Sequence, residues 1–177
     1  HMCIRDRIPI YKPYLKKYKQ SAINAINEEW ISNHGIYVKL ASDELTKIFG
    51  IKHVILMNNG TSATYCLYIS LKYKYPDIKK IYVPNNVFIA AWNCGLYLYD
   101  YKIFEVMKTN NDTLNIDTSE EYISSLDKDS AVMIVHNIGN IVNVPRLKRL
   151  RPDLIFIEDN CEGFFGKYED SYSGTIS

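Results

Sequence analysis

The chain has 177 residues, 47% of them hydrophobic and 23% charged, with a net charge of +1. That length supports one domain with a real core and falls short of a comfortable two-domain enzyme. The even charge balance argues against nucleic acid or an anionic membrane surface as partner, because both favour a clustered basic face.

The basic runs at Lys16-Lys17-Tyr18-Lys19 and between Arg146 and Arg151 read as solvated helix faces. Cys3, Cys66, Cys94 and Cys161 are scattered and form no C-x-x-C pair. They read as reduced thiols of a cytosolic protein, not as a disulfide frame or zinc site. No apolar run approaches the roughly 18 residues that a membrane span requires. No secretory signal is visible. His1-Met2 reads as a cloning scar, and residues 1–7 as a tag remnant with an extended or disordered start.

In chain order, residues 8–12 predict an extended arm. Pro13 then suits the first turn of a helix reaching about Trp30, with Ile23, Ile26 and Trp30 on one stripe. Residues 31–35 form a loop by composition. A second helix is predicted over 38–49, closed by Gly50. From there short apolar runs alternate with helical stretches. Strands are predicted at 54–57, 81–83, 102–107, 131–135 and 154–157. Helices are predicted at 61–74, 86–97, 119–126 and 145–150. The alternation implies an α/β fold with a mostly parallel sheet flanked by helices on both faces. The strands are apolar throughout, as strands buried on both faces should be.

In open α/β sheets, ligands bind at the carboxyl ends of the strands. After Met57 comes Asn58-Asn59-Gly60-Thr61-Ser62-Ala63, opening a helix. Glycine permits close backbone approach, and the helix N-terminus receives an anion such as phosphate. An ordinary Asn-Gly turn with a hydroxyl cap is the plainer reading. After Val83 comes Pro84-Asn85-Asn86-Val87-Phe88. Phe88 is either a ring on which a planar ligand stacks or a core aromatic. After Val135 comes His136, an acid/base candidate or a satisfied loop histidine. After Ile157 come Glu158, Asp159 and Glu162. Acidic groups at a buried strand tip need partners. They suit a magnesium ion, or an aspartate that pairs with a protonated ring nitrogen.

Taken in this order, the segments resemble the DegT/StrS-type family of nucleotide-sugar aminotransferases, whose large domain has the fold-type-I architecture of pyridoxal-phosphate-dependent transferases. The matching segments are Ile8-Pro9, Trp30-Ile31-Ser32 with Gly35, Asn59-Gly60-Thr61-Ser62-Ala63, Val83-Pro84 through Phe88-Ile89-Ala90, Asp112 to Asp117, His136 with Gly139, and Ile157-Glu158-Asp159-Asn160-Cys161-Glu162. The resemblance implies pyridoxal 5'-phosphate as cofactor. Gly60, Thr61 and Ser62 would hold its phosphate, Phe88 would stack on the pyridine ring, and Asp159 would bind the ring nitrogen. Glu162 stands where many members carry Gln or His beside the cofactor's 3-hydroxyl, so a carboxylate is a departure there.

The resemblance also implies a homodimer that moves an amino group from glutamate to a nucleoside-diphosphate-linked keto-deoxy sugar for surface glycans. The family's lysine, which bonds covalently to the cofactor, is expected beyond Ser177; Lys167 comes too early for it. Residues 8–177 are then an incomplete, truncated large domain, without the small C-terminal domain and inactive alone. Two other readings stay open: a sugar dehydratase of the same family, with histidine replacing that lysine, and a non-catalytic relative. A Rossmann-type enzyme lacks its signature, because no G-x-G-x-x-G follows the first strand.

Overall fold

The computed structural model describes residues 14–29 and 32–175. The expectations for the arm at 8–12, for Pro13 and for Trp30 and Ile31 lie outside them. The chain divides between Leu56 and Met57 into two compact units.

The first unit carries two helices, α1 (Lys19–Asn27) and α2 (Ile36–Phe49). Gly50 caps α2 with φ of 65°, the left-handed conformation that glycine adopts without a Cβ clash. Ile23 and Ile26 are exposed on α1. The run 54–57, predicted as a strand, is not one. A strand needs a ladder partner, and none is found for this run among the described residues. Ile55 is left 83% exposed.

The second unit is a four-stranded, all-parallel sheet in the order β2-β1-β3-β4. Its strands are β1 (Lys80–Pro84), β2 (Phe104–Met107), β3 (Ser130–Val135) and β4 (Ile155–Asp159). Helices α3 (Gly60–Lys74), α4 (Ala90–Leu96), α5 (Glu120–Ser125) and α6 (Val144–Leu150) alternate with them. A small antiparallel hairpin, β5 (Lys167–Tyr168) with β6 (Ser171–Tyr172), follows.

Period-two alternation sorts the strand side chains into two cores. Tyr82, Val132, Ile134 and Phe156 pack with Ile123 of α5 and Leu147 of α6. Ile81, Val83, Ala131, Met133 and Ile157 pack on the other face with Tyr68 and Leu71 of α3 and Ala91 and Cys94 of α4. Thr64, Tyr68 and Leu71 form the buried stripe of α3, spaced as one helical face. Tyr68 donates its hydroxyl to the Ala91 carbonyl at 2.7 Å, and burial pushes its ionisation above the usual tyrosine range. All of β3 is buried, its apolar run Ala131–Val135 following Ser130, whose hydroxyl donates to the Lys128 carbonyl.

The first helix, expected from Pro13 to about Trp30, is α-helical only over Lys19–Asn27 among the described residues. In the second unit, two predicted elements start later than expected by two residues or more. The helix expected over 86–97 begins only at Ala90. Asn86 instead donates its amide to the Leu114 carbonyl at 2.6 Å, which holds residues 85–89 as a loop. The strand expected from Lys102 begins at Phe104, because Asp100 accepts the Lys102 N–H and folds Tyr101–Ile103 into a 3-10 turn.

Candidate functional site

β1 is followed by β2 on one side, and β3 lies on the other. The strand order therefore reverses at β1, and the carboxyl ends of β1 and β3 flank the crevice that such a reversal opens. A cleft of about 660 Å³ lies there. The first turn of α3 supplies Gly60 and Thr61, and the loop after β1 supplies Asn86 and Phe88. Leu114 comes from the loop after β2, and Asn137 and Ile138 from the turn after β3. Asp159 and Glu162 come from the end of β4.

Asn59 caps α3, its Oδ1 accepting the Ser62 N–H at 2.8 Å, while its carbonyl accepts the Ala63 N–H at 3.2 Å. Among the described residues, the Gly60 and Thr61 N–H groups have no partner. They lie at the positive end of a 15-residue helix, a setting that suits an anion. A Cβ at Gly60 would come within 2.9 Å of Cys161 Sγ, so the thiol would have to shift to admit one.

At the end of β4, Glu158 and His136 form a buried pair, with Nε2 3.1 Å from Oε2. Their side chains are 2% and 0% exposed. His136 Nδ1 accepts the Val142 N–H at 3.1 Å, so the ring proton sits on Nε2 and points at Glu158. Glu158 Oε2 also accepts the Gly174 N–H at 2.8 Å. The pair therefore ties the turn after β3 to β4 and to the segment after β6. Asp159 turns the other way and lines the cleft, its Oδ1 accepting the Cys161 N–H at 3.1 Å. Burial, followed by the Asp159 carboxylate beside it, pushes the Cys161 thiol up to about 11. Glu162 Oε2 accepts the Ile138 N–H at 2.7 Å.

Of the residues singled out in the sequence, Gly60, Thr61, Phe88, Asp159 and Glu162 share the cleft. Ser62 does not line it, and its N–H is engaged by Asn59. His136 does not line it either, and both its ring nitrogens are occupied within the protein. Phe88 precedes α4 and is 72% exposed, so it is no core aromatic. Glu158 and Glu162 accept hydrogen bonds from protein donors, and no group of three metal-ligating side chains is found among the described residues. Sequence reasoning missed Leu114, Ile138 and the asparagines that bind their loops together. The density of Asn at strand ends was the available signal.

A profile of the DegT/DnrJ/EryC1/StrS aminotransferase family matches residues 14–177. The chain belongs to that family. Among curated members, it is 27% identical over 163 residues to GDP-4-keto-6-deoxy-D-mannose 3-dehydratase of Escherichia coli O55:H7, covering 88% of this chain and 41% of that protein. It is 25% identical over 158 residues to GDP-perosamine synthase of Vibrio cholerae, covering 88% of this chain and 42% of that one. The solved structure of E. coli GDP-4-keto-6-deoxy-D-mannose-3-dehydratase with bound hydrated PLP has a TM-score of 0.79 at 24% identity, over 96% of this chain and 45% of that chain. That likeness shows the shared fold. This DegT-type chain spans less than half the length of the curated relatives it matches. No helix among its described residues is long and apolar enough to cross a membrane.

Proposed function

We propose that the full-length protein is a pyridoxal-phosphate-dependent enzyme acting on a nucleoside-diphosphate-linked keto-deoxy sugar, with glutamate as amino donor, and that this chain supplies most of the cofactor cradle. Residues 8–177 belong, in this reading, to the large domain of a cytosolic homodimer. The covalent attachment residue and the small domain lie in sequence beyond Ser177.

One observation carries the reading: a carboxylate at a strand end, an exposed aromatic ring and a helix N-terminus with unused amides line one cleft. These residues fit the cofactor. The Gly60 and Thr61 amides suit its phosphate, with Gly60 kept bare by the nearness of Cys161. Phe88 offers a ring face and excludes water from that side. Asp159 would hold a proton on the pyridine nitrogen, since an adjacent carboxylate favours the charged form. Bound there, pyridoxal phosphate supplies an electron sink at the carbon carrying the amine. His136 and Glu158 act by holding the loop after β3 against β4.

The test is reduction of the full-length protein with borohydride in the presence of pyridoxal phosphate, followed by peptide mapping. The expected adduct maps beyond Ser177. A stable adduct within residues 1–177 would contradict the assignment of the attachment residue, and no saturable cofactor binding would contradict the function. The likeness to a 3-dehydratase supports a second reading, loss of water from the sugar in place of amino transfer. Product analysis separates the two: an amino sugar with glutamate consumed, or a dehydrated sugar.

A further inference from the structure

Six described non-glycine residues adopt a left-handed backbone: Glu29, Leu114, Asp129, Ile138, Phe165 and Glu169. The three acidic residues among them are in turns. Phe165 is accounted for by its ring, which packs against Phe164 at 4.5 Å and Tyr172 at 6.2 Å. Leu114 (φ 59°) and Ile138 (φ 54°) also lie in turns, Leu114 with its N–H on the Asn110 carbonyl at 2.8 Å and Ile138 within Asn137–Gly139, but these two also line the cleft. This conformation is unfavourable for any residue with a Cβ, and most of all for a β-branched one. Nor does burial compensate, because Leu114 is 40% and Ile138 70% exposed. Glycine or asparagine would adopt either conformation more cheaply.

Both residues are nonetheless fixed. The Leu114 carbonyl accepts Nδ2 of Asn86 and of Asn137, each at 2.6 Å. The Ile138 N–H is held by Glu162. Asn115 bridges the same two loops, accepting the Asn137 N–H at 3.0 Å and donating to the Asn140 carbonyl at 2.8 Å. Strain that the surroundings over-determine, at residues lining a cleft, marks a ligand contact. The loops that carry Leu114 and Ile138 are not those that carry Gly60, Thr61, Phe88 and Asp159, the groups that suit the cofactor. Polar atoms nearby are spent on binding the loops to each other, so what the lip offers is branched apolar surface. A pyranose has matching apolar C–H faces, and a 6-deoxy sugar adds a methyl group.

We propose that Leu114 and Ile138 are specificity-determining residues that seat the apolar face of the substrate's sugar ring. This rests on the function proposed above. The test uses the full-length protein with Ile138→Asn and Leu114→Asn, since asparagine tolerates the left-handed conformation and removes the apolar contact. The readouts are the thermal midpoint, the pyridoxal phosphate affinity, and calorimetric binding of GDP-4-keto-6-deoxymannose and of GDP alone. The expected result is a midpoint equal to or above that of the parent, with cofactor and GDP affinities within about twofold and the sugar nucleotide weakened about tenfold by loss of apolar contact. An unchanged sugar-nucleotide affinity would overturn the assignment. So would equal weakening of GDP alone, loss of cofactor, a lowered midpoint, or a parent protein that holds the cofactor but not the sugar nucleotide. A parent protein that binds no pyridoxal phosphate would overturn the proposed function instead.

Discussion

The two ends of the parallel sheet each carry a depression of similar size, and they are built on opposite principles. The groove at the amino ends of β1, β3 and β4 encloses about 730 Å³, slightly more than the cleft at the carboxyl ends. Two ion pairs border it: Lys79 with Asp129 at 2.9 Å, and Arg151 with Asp153 at 2.6 Å. The Arg151 guanidinium holds the Asp153 carboxyl below the usual carboxylate range. The carboxyl-end cleft has a bare helix N-terminus and two branched apolar residues in an unfavourable backbone conformation, and a buried histidine–glutamate pair lies next to it in sequence at the ends of β3 and β4. Volume does not separate the two ends. What separates them is where the protein tolerates cost, and buried polar groups and strain persist at a site that uses them.

Mutations at the two ends should differ accordingly. His136→Ala removes one donor from the buried Glu158 carboxylate, which keeps the Gly174 N–H, and should cost about 1–3 kcal/mol of stability, measured by urea unfolding. A cost below about 1 kcal/mol would mean the pair is not buried in solution. Gly60→Ala drives a methyl group against Cys161 Sγ and should cost about 1–3 kcal/mol by overpacking. Adding Cys161→Ala should recover most of that loss, and no recovery would mean the crowding arises elsewhere. Cys161, titrating at about 11, is almost entirely thiol at pH 8. Its alkylation by iodoacetamide, followed by mass spectrometry, should run about tenfold slower than that of a free cysteine, because fewer thiolates outweigh their greater nucleophilicity. The rate should still be rising at pH 10; a plateau by pH 9 would contradict the raised ionisation of this thiol beside Asp159. At the other end, Lys79→Ala removes an ion pair whose side chains are 68% and 65% exposed. It should shift stability by less than about 0.5 kcal/mol.

The parts of this architecture that local pattern dictates were legible in the sequence. The helices α2 and α3 and the strands β1 and β3 follow from apolar periodicity, unbroken apolar runs and a glycine cap at Gly50. The rest depends on bonds between distant residues. The run 54–57 has strand composition without a strand partner. Residues 85–89 have helix-compatible composition, but Asn86 is engaged 28 residues away at Leu114. His136 meets Glu158 because β3 and β4 align Val135 with Asp159, a register set by the whole sheet. The motif residues Gly60, Thr61, Phe88, Asp159 and Glu162 could be picked out by their position at strand ends. Leu114 and Ile138 could not, since nothing in their identity announces a left-handed backbone.

Titration of the full-length protein with pyridoxal phosphate, comparing the parent with Asp159→Asn and Lys79→Ala, tests most directly where the cofactor binds. Loss of a charged hydrogen-bond partner should weaken cofactor binding by about tenfold or more in Asp159→Asn. Lys79→Ala, at the opposite end of the sheet, should bind within about twofold of the parent. Equal affinity in Asp159→Asn and the parent, or equal weakening in both variants, would contradict the assignment of the cofactor to the carboxyl-end cleft.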